Sequence, residues 1–154
     1  MLLSFFKKYF RLFGLLNPLT FDQQINEAKS LMDEHQLDSR FFDAEGGNGE
    51  TLYTGWSGSI DNKPYAITVD PNGFTTGPTY DDSKVGSCSV WEYPPNVSCA
   101  DAVIDMTKAG ITETWTWCRL RGGVDPQYNP FYDFLFTNIP PVHVDSVNGI
   151  VIKT

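Results

Sequence analysis

The sequence predicts an α+β fold: N-terminal helices followed by a mainly antiparallel β-sheet, with one short inserted helix. Three observations carry this expectation. Apolar residues recur with helical spacing through residues 1–37. From Arg40 onward the pattern changes to short strand-like runs separated by turns rich in Gly, Pro and Asn. Neighbouring runs are joined by segments too short for the helical crossovers that parallel strands require. Ten Pro, thirteen Gly and an aromatic content of 14% agree, because that mixture favours short strands and tight turns over long helices.

Residues 1–16 read as a basic amphipathic helix. At about 100° per residue, Leu2, Leu3, Phe5, Phe6, Tyr9, Phe10, Leu12, Phe13 and Leu16 share one face, while Ser4, Lys7, Lys8, Arg11 and Gly14 take the other. Only Leu15 is out of place. Asn17-Pro18 is expected to end the helix, since a residue before proline is pushed out of the α region. A second helix is expected at 21–37. Thr20 is its N-cap, Gln23 completes a capping box, and Asp22 suits the positive helix end. Phe21, Ile25, Ala28, Met32 and His35 form its apolar stripe, and Gln24, Glu27, Lys29, Asp33 and Glu34 a solvated face.

Gly46-Gly47-Asn48-Gly49 reads as a turn, followed by strands at 51–60, 65–70 and from 74, which form an antiparallel meander. Another strand is expected at 85–92. Ser98 then caps a short helix whose packed side is Ala100, Val103, Ile104 and Thr107, and Gly110 supplies its left-handed terminus. Residues 111–120 show the clearest alternation, with Ile111, Trp115 and Trp117 on one face. A loop at 122–130, a strand at 131–137 and a hairpin of 142–145 with 149–153 complete the chain. No internal repeat or dividing linker is evident. The expected organisation is one α+β domain at 17–154 with the helix of 1–16 appended.

The chain's 154 residues can bury a core unaided. Charge is divided unevenly: residues 1–16 carry three basic residues and no acid, against eight basic and nineteen acidic residues in 17–154. The net charge of −8 argues against general nucleic-acid binding, which needs a basic surface. Lys7, Lys8 and Arg11 interrupt the apolar run that a secretory signal requires, and no segment reaches the roughly 20 apolar residues that span a bilayer.

Candidate chemistry is sparse. Cys88, Cys99 and Cys118 permit one bridge in an oxidising compartment. Pro94-Pro95 bends the chain between Cys88 and Cys99, which favours that pair, with Cys99–Cys118 close behind. Cys99 falls in the first turn of the short helix, a position associated with thiol reactivity. No CxxC occurs and His35 and His143 lie far from the cysteines, so neither zinc nor another metal is expected. Asn96-Val97-Ser98 fits the glycosylation pattern. Cys118, His143 and Asp145 are nucleophile–base candidates, but 143 and 145 share a strand face and do not point at each other. Asp81-Asp82, Glu113, Asp125, Asp133 and Asp145 are candidate carboxylate pairs for hydrolysis, and Asp81-Asp82-Ser83 lacks the spaced ligands of an EF-hand. Gly46–Gly49 and Gly122-Gly123 lack the helix of a phosphate cradle. Trp56, Trp91, Trp115 and Trp117 are expected mainly in the core.

Tyr93-Pro94-Pro95-Asn96-Val97-Ser98-Cys99 before a short helix, together with the order of helix, antiparallel sheet and late cysteines, resembles the head of type IV pilin-like proteins. That resemblance implies a subunit of a surface filament or particle. The chain departs from the family in having no processing site followed by Glu and no long apolar helix.

The leading expectation is a non-enzymatic interaction or assembly module, membrane-peripheral or at the cell envelope, without a cofactor. It docks through Phe5, Phe6, Lys7, Lys8, Tyr9, Phe10, Arg11 and Phe13 on an anionic membrane surface or a protein partner, which includes a second copy of the chain. A filament subunit and a small hydrolase are the alternatives.

Overall fold

The computed structural model describes residues 2–35, 39–58, 61–84, 90–122 and 128–154. The fold is α+β, as the sequence predicts. Helix α1 (Leu2–Leu12) and α2 (Phe21–Glu34) come first, then strands β1 (Ser39–Gly47), β2 (Leu52–Gly58), β3 (Pro64–Val69) and β4 (Thr75–Tyr80). Helix α3 (Cys99–Lys108) is inserted before β5 (Trp117–Arg121), β6 (Phe131–Leu135), β7 (Val142–Asp145) and β8 (Val151–Lys153). The eight strands form one sheet in the order β4-β3-β2-β1-β5-β6-β7-β8, and every pair is antiparallel.

This order contains a repeat that the sequence does not reveal. A helix followed by a four-strand meander occurs twice, α2-β1-β2-β3-β4 and α3-β5-β6-β7-β8, and the halves join where β1 pairs with β5. Side chains from α2 and α3 enter the same core, so both helices lie on one face of the sheet. From α2 come Phe21, Ile25, Ala28 and Met32, and from α3 Cys99, Ala102 and Met106. The sheet meets them with Ala44, Leu52, Trp56, Ile67, Val69, Cys118, Leu120, Tyr132, Phe134, Val142 and Val144, set by the period-two alternation of its strands.

Several local expectations change. The first helix stops at Leu12 rather than Leu16, and its stop is not Asn17-Pro18. Gly14 adopts φ +74°, its N–H bonds the Arg11 carbonyl, and Leu15 N–H bonds the Phe10 carbonyl. That is a Schellman cap, for which glycine is suited because it lacks a Cβ. Gly110, at φ +86°, closes α3 in the same way, with its own and the Ile111 N–H bonding the Thr107 and Met106 carbonyls. Helix α2 ends at Glu34, and His35 is exposed at its C-cap instead of extending the buried stripe.

Gln24 lies in the core rather than on the wet face. Its amide donates to the Glu50 and Val69 carbonyls at 2.9 Å each, which ties α2 to the β1–β2 turn and to the end of β3. A polar side chain survives burial there because its donors are satisfied.

Strand β1 includes the Gly46-Gly47 expected in a turn, because Ala44-Glu45-Gly46-Gly47 pairs in register with Leu120, Arg119, Cys118 and Trp117. A Cβ on residue 46 would stand 2.8 Å from the Thr51 carbonyl oxygen, so close backbone approach rather than turn geometry accounts for that glycine. The strand expected at 85–92 falls largely outside the described residues, and within them Trp91 makes a single bridge to Phe41. Only residues 117–120 of the expected 111–120 strand are extended in the sheet. Consequently Trp115 packs edge-on against Phe21 and Phe134 on the core side, while Trp117 alternates with buried Cys118 and falls on the opposite face. Helix α3 also turns a different side inward: Cys99, Ala102 and Met106 are buried, and Ile104 is exposed.

Two expected outcomes test this core. Ile25→Ala, at a fully buried position, removes a side chain from the centre of the α2–sheet contact and is expected to cost about 2–5 kcal/mol in urea unfolding. The second concerns alkaline pH. Burial, and then the negative charge of Asp22, raise the Tyr93 phenol from its ordinary value of 10.0 to about 12, and burial pushes Tyr132 up further. A raised folded-state pKa means that the native protein holds these protons more tightly than the unfolded chain. The stability linked to Tyr93 is therefore full below pH 10.0 and lost as pH rises towards about 12. Chemical denaturation across that interval should show stability falling, and less steeply in Tyr93→Phe.

Candidate docking surface

Helix α1 contributes no residue to the core. Three residues near its C-terminal end seat it on the β3–β4 turn. The Tyr9 ring meets Phe74 edge-on at 5.6 Å between centroids, and the Arg11 guanidinium donates to the Asn72 carbonyl at 3.4 Å. Lys8 lies beside Gly73 with its side chain half-buried. The turn is shaped by Asp70, whose carboxylate accepts the Asn72 and Phe74 N–H groups, each at 2.9 Å. Thus the basic flank of α1 faces the body, and the apolar flank points away from it.

The outward surface is extensive. Leu2, Leu3 and Phe13 are at least 70% exposed, and Phe5, Phe6, Phe10, Leu12, Leu15 and Leu16 are also exposed. Rings pair along the helix, Phe5 with Tyr9 at 4.7 Å and Phe6 with Phe10 at 6.3 Å, so they form a continuous aromatic ridge. Seven of the eight residues expected to dock are therefore on α1, with Phe13 next after its end, but they divide by role. Phe5, Phe6, Phe10 and Phe13 form the free surface, and Lys7 is exposed at its edge. Lys8, Tyr9 and Arg11 hold the helix to the protein. Asn72 and Phe74, which complete that seat, carried only a turn signal and a strand start in the sequence, because their role depends on which element lands on the turn.

The other candidates are placed as follows. Cys118 points into the core, whereas His143 and Asp145 alternate with buried Val142 and Val144 on the opposite face of the sheet, so the three are not brought together. His143 Nδ1 instead lies 3.3 Å from Asp133 Oδ1 across the β6–β7 pair. Asp145 accepts N–H groups from Val147 and Asn148 in the hairpin turn and the Asn129 amide. Asp81 accepts the Ser83 N–H and hydroxyl locally. Asp125 lies outside the described residues, among which no group of His, Cys, Asp and Glu is arranged to hold a metal ion. Trp56 is fully buried, its indole N–H donating to Thr54 Oγ1 at 2.8 Å.

Cys99 carries a free, buried thiol, and Cys88 lies outside the described residues. Cys118, also a free and buried thiol, belongs to the same core, and the expected Cys88–Cys99 pairing falls on a residue outside the described ones.

A cleft of about 580 Å³ opens where the start of α2, the β1–β2 turn and α3 converge, lined by Phe21, Cys99, Val103, Ile104 and Trp115 among others. Asp22 stands in it with both carboxylate oxygens engaged, accepting the Cys99 N–H at 2.8 Å and the Ala100 N–H at 3.1 Å. These are first-turn donors of α3 that have no partner within the helix, so α2 caps α3 through a tertiary contact.

No protein-family model matches this sequence, and no curated protein matches it. The structure is similar to the crystal structure of a putative lipoprotein from Clostridium difficile 630, with a TM-score of 0.59 and 16% sequence identity over 90% of this chain and 93% of that one. At that identity the likeness is one of fold.

Asp22→Ala leaves the two N–H groups without their acceptor and is expected to cost about 1–3 kcal/mol in urea unfolding. Asp22→Asn, which keeps one carbonyl oxygen, should recover part of that loss.

Proposed function

We propose that this chain is a non-enzymatic docking module of the cell envelope that attaches to a membrane surface through α1. The observation that carries this reading is a helix with an aromatic, leucine-rich face turned to solvent and its basic flank turned to the protein. An interfacial helix needs that orientation, with apolar side chains entering the acyl boundary and polar ones left towards water. No helix among the described residues is long and apolar enough to cross a membrane, so attachment by α1 is peripheral. The similarity of fold to a putative lipoprotein supports an envelope setting. The acidic body then remains to present the sheet face or the cleft to other molecules.

Apolar burial rather than charge dominates the attachment, since the Arg11 guanidinium is already engaged by the β3–β4 turn and the Lys8 stem lies against it. Flotation of the full chain with neutral and anionic vesicles tests this. The protein should float with both, and Phe6→Ser combined with Phe10→Ser should weaken partitioning roughly a hundredfold through lost apolar burial. Lys7→Glu should weaken binding to anionic vesicles alone, by about fivefold per charge removed. A full-length protein that floats with neither vesicle overturns the reading. Concentration-dependent assembly of that protein, lost in the double Phe variant, would instead assign the ridge to a second copy of the chain.

A further inference from the structure

Two concavities meet at Pro18-Leu19, which line both. The smaller, a groove of about 320 Å³ between α1 and the start of α2, is walled by Lys7, Arg11, Asn17 and Gln23 among others. The larger is the cleft of about 580 Å³ between α2, the β1–β2 turn and α3, within the roughly 300–1,000 Å³ of small-ligand sites. Their chemistry is opposite. The polar side chains described in the cleft are engaged within the protein. Thr20 Oγ1 accepts the Gln23 N–H, Gln24 donates to two carbonyls, and the Asn48 amide donates to the Trp115 carbonyl at 3.2 Å. Both Asp22 oxygens hold the start of α3. What the cleft offers a ligand is hydrocarbon and rings, from Leu19, Phe21, Val103, Ile104 and Trp115, with Ile104 51% exposed. The groove is basic, on a protein of net charge −8. Lys7 is exposed there, and the seat of α1 uses one Arg11 donor, in a bond of 3.4 Å, of the five that a guanidinium carries.

We propose that groove and cleft together bind one fatty acid, its carboxylate between Lys7 and Arg11 and its chain passing over Pro18-Leu19 into the cleft. The groove supplies positive charge and the fork of donors that a carboxylate accepts. The cleft supplies apolar walls whose polar neighbours already have partners, a setting that rewards methylenes and penalises a ligand's hydroxyl groups. A saccharide is disfavoured for that reason. One wall is preformed, since Phe21 and Trp115 meet edge-on at 6.3 Å between ring centroids. The carboxylate binds on the flank of α1 that faces the body, opposite the aromatic ridge, so ligand binding and membrane attachment use different sides of one helix. Filling the site takes a dissolved fatty acid and no bilayer, so it stands or falls apart from the membrane reading.

The test is titration calorimetry of the full chain with octanoate, decanoate and dodecanoate, each below its micelle concentration. Affinity should rise about fourfold for each methylene added. Dodecyltrimethylammonium, with the same tail and the opposite head, should bind roughly tenfold more weakly than dodecanoate, and Lys7→Gln combined with Arg11→Gln should remove that preference. Ile104→Glu, at an exposed position outside the core, should weaken dodecanoate by more than about tenfold, because it sets a charge against the chain. Phe6→Ser combined with Phe10→Ser, which removes the aromatic ridge, should leave dodecanoate affinity unchanged. Absence of dodecanoate binding would overturn the proposal, as would equal affinity for the two head groups. Binding that survives Ile104→Glu and is lost in the double Phe variant would place the chain on the ridge of α1 and overturn it as well.

Discussion

The pairing of β1 with β5 is the constraint on which the rest of the structure depends. Each half has four strands and one helix, and α2 packs across all four strands of its own half and against α3. Joining the meanders along β1 and β5 gives one inner face on which Ala44 meets Leu120 and Gly46 meets Cys118. On the outer face the junction is spanned by Glu45 and Arg119, with Nε donating to the carboxylate at 2.7 Å. That pair is partly exposed, so its main contribution is register rather than large stability.

Polar contacts then orient the helices on the shared face. Gln24 uses both amide donors to hold α2 to two carbonyls of the first half. Asp22, two residues earlier, reaches across to cap the helix of the second half. Apolar packing alone tolerates rotation and sliding of a helix, whereas a buried amide and a bidentate carboxylate accept few positions. One turn of α2 thus couples both halves and sets the wall of the cleft.

Helix α1 obeys a different logic. It adds little to the fold's stability and is positioned by a ring contact, a single long hydrogen bond and the half-buried stem of a lysine. Such a seat holds an orientation while leaving the aromatic ridge free to exchange water for a lipid or protein surface. The polarity of the arrangement matters more than its strength: Lys8 and Arg11 face the body, and the leucine and phenylalanine side chains are left exposed.

What the sequence determined by itself is everything governed by local spacing and local chemistry. The α+β class, the amphipathic α1, the capping box of Thr20 and Gln23, the meander of β2 to β4, the Ser98 cap and the glycine stop of α3 were all legible, because each depends on residues within a few positions of one another. The tertiary structure decided what depends on distant partners. Residues 111–116 alternate like a strand yet lie outside the sheet, since Trp115 is drawn onto Phe21 and Phe134. Ala44-Glu45-Gly46-Gly47 has poor strand propensity yet pairs with β5, because a neighbouring strand supplies its hydrogen bonds. Gln24 looked solvated until two carbonyls from other elements closed over it. The same holds for function: the apolar stripe of α1 was written in the sequence, but which flank the β3–β4 turn would occupy followed only from the packing of remote segments.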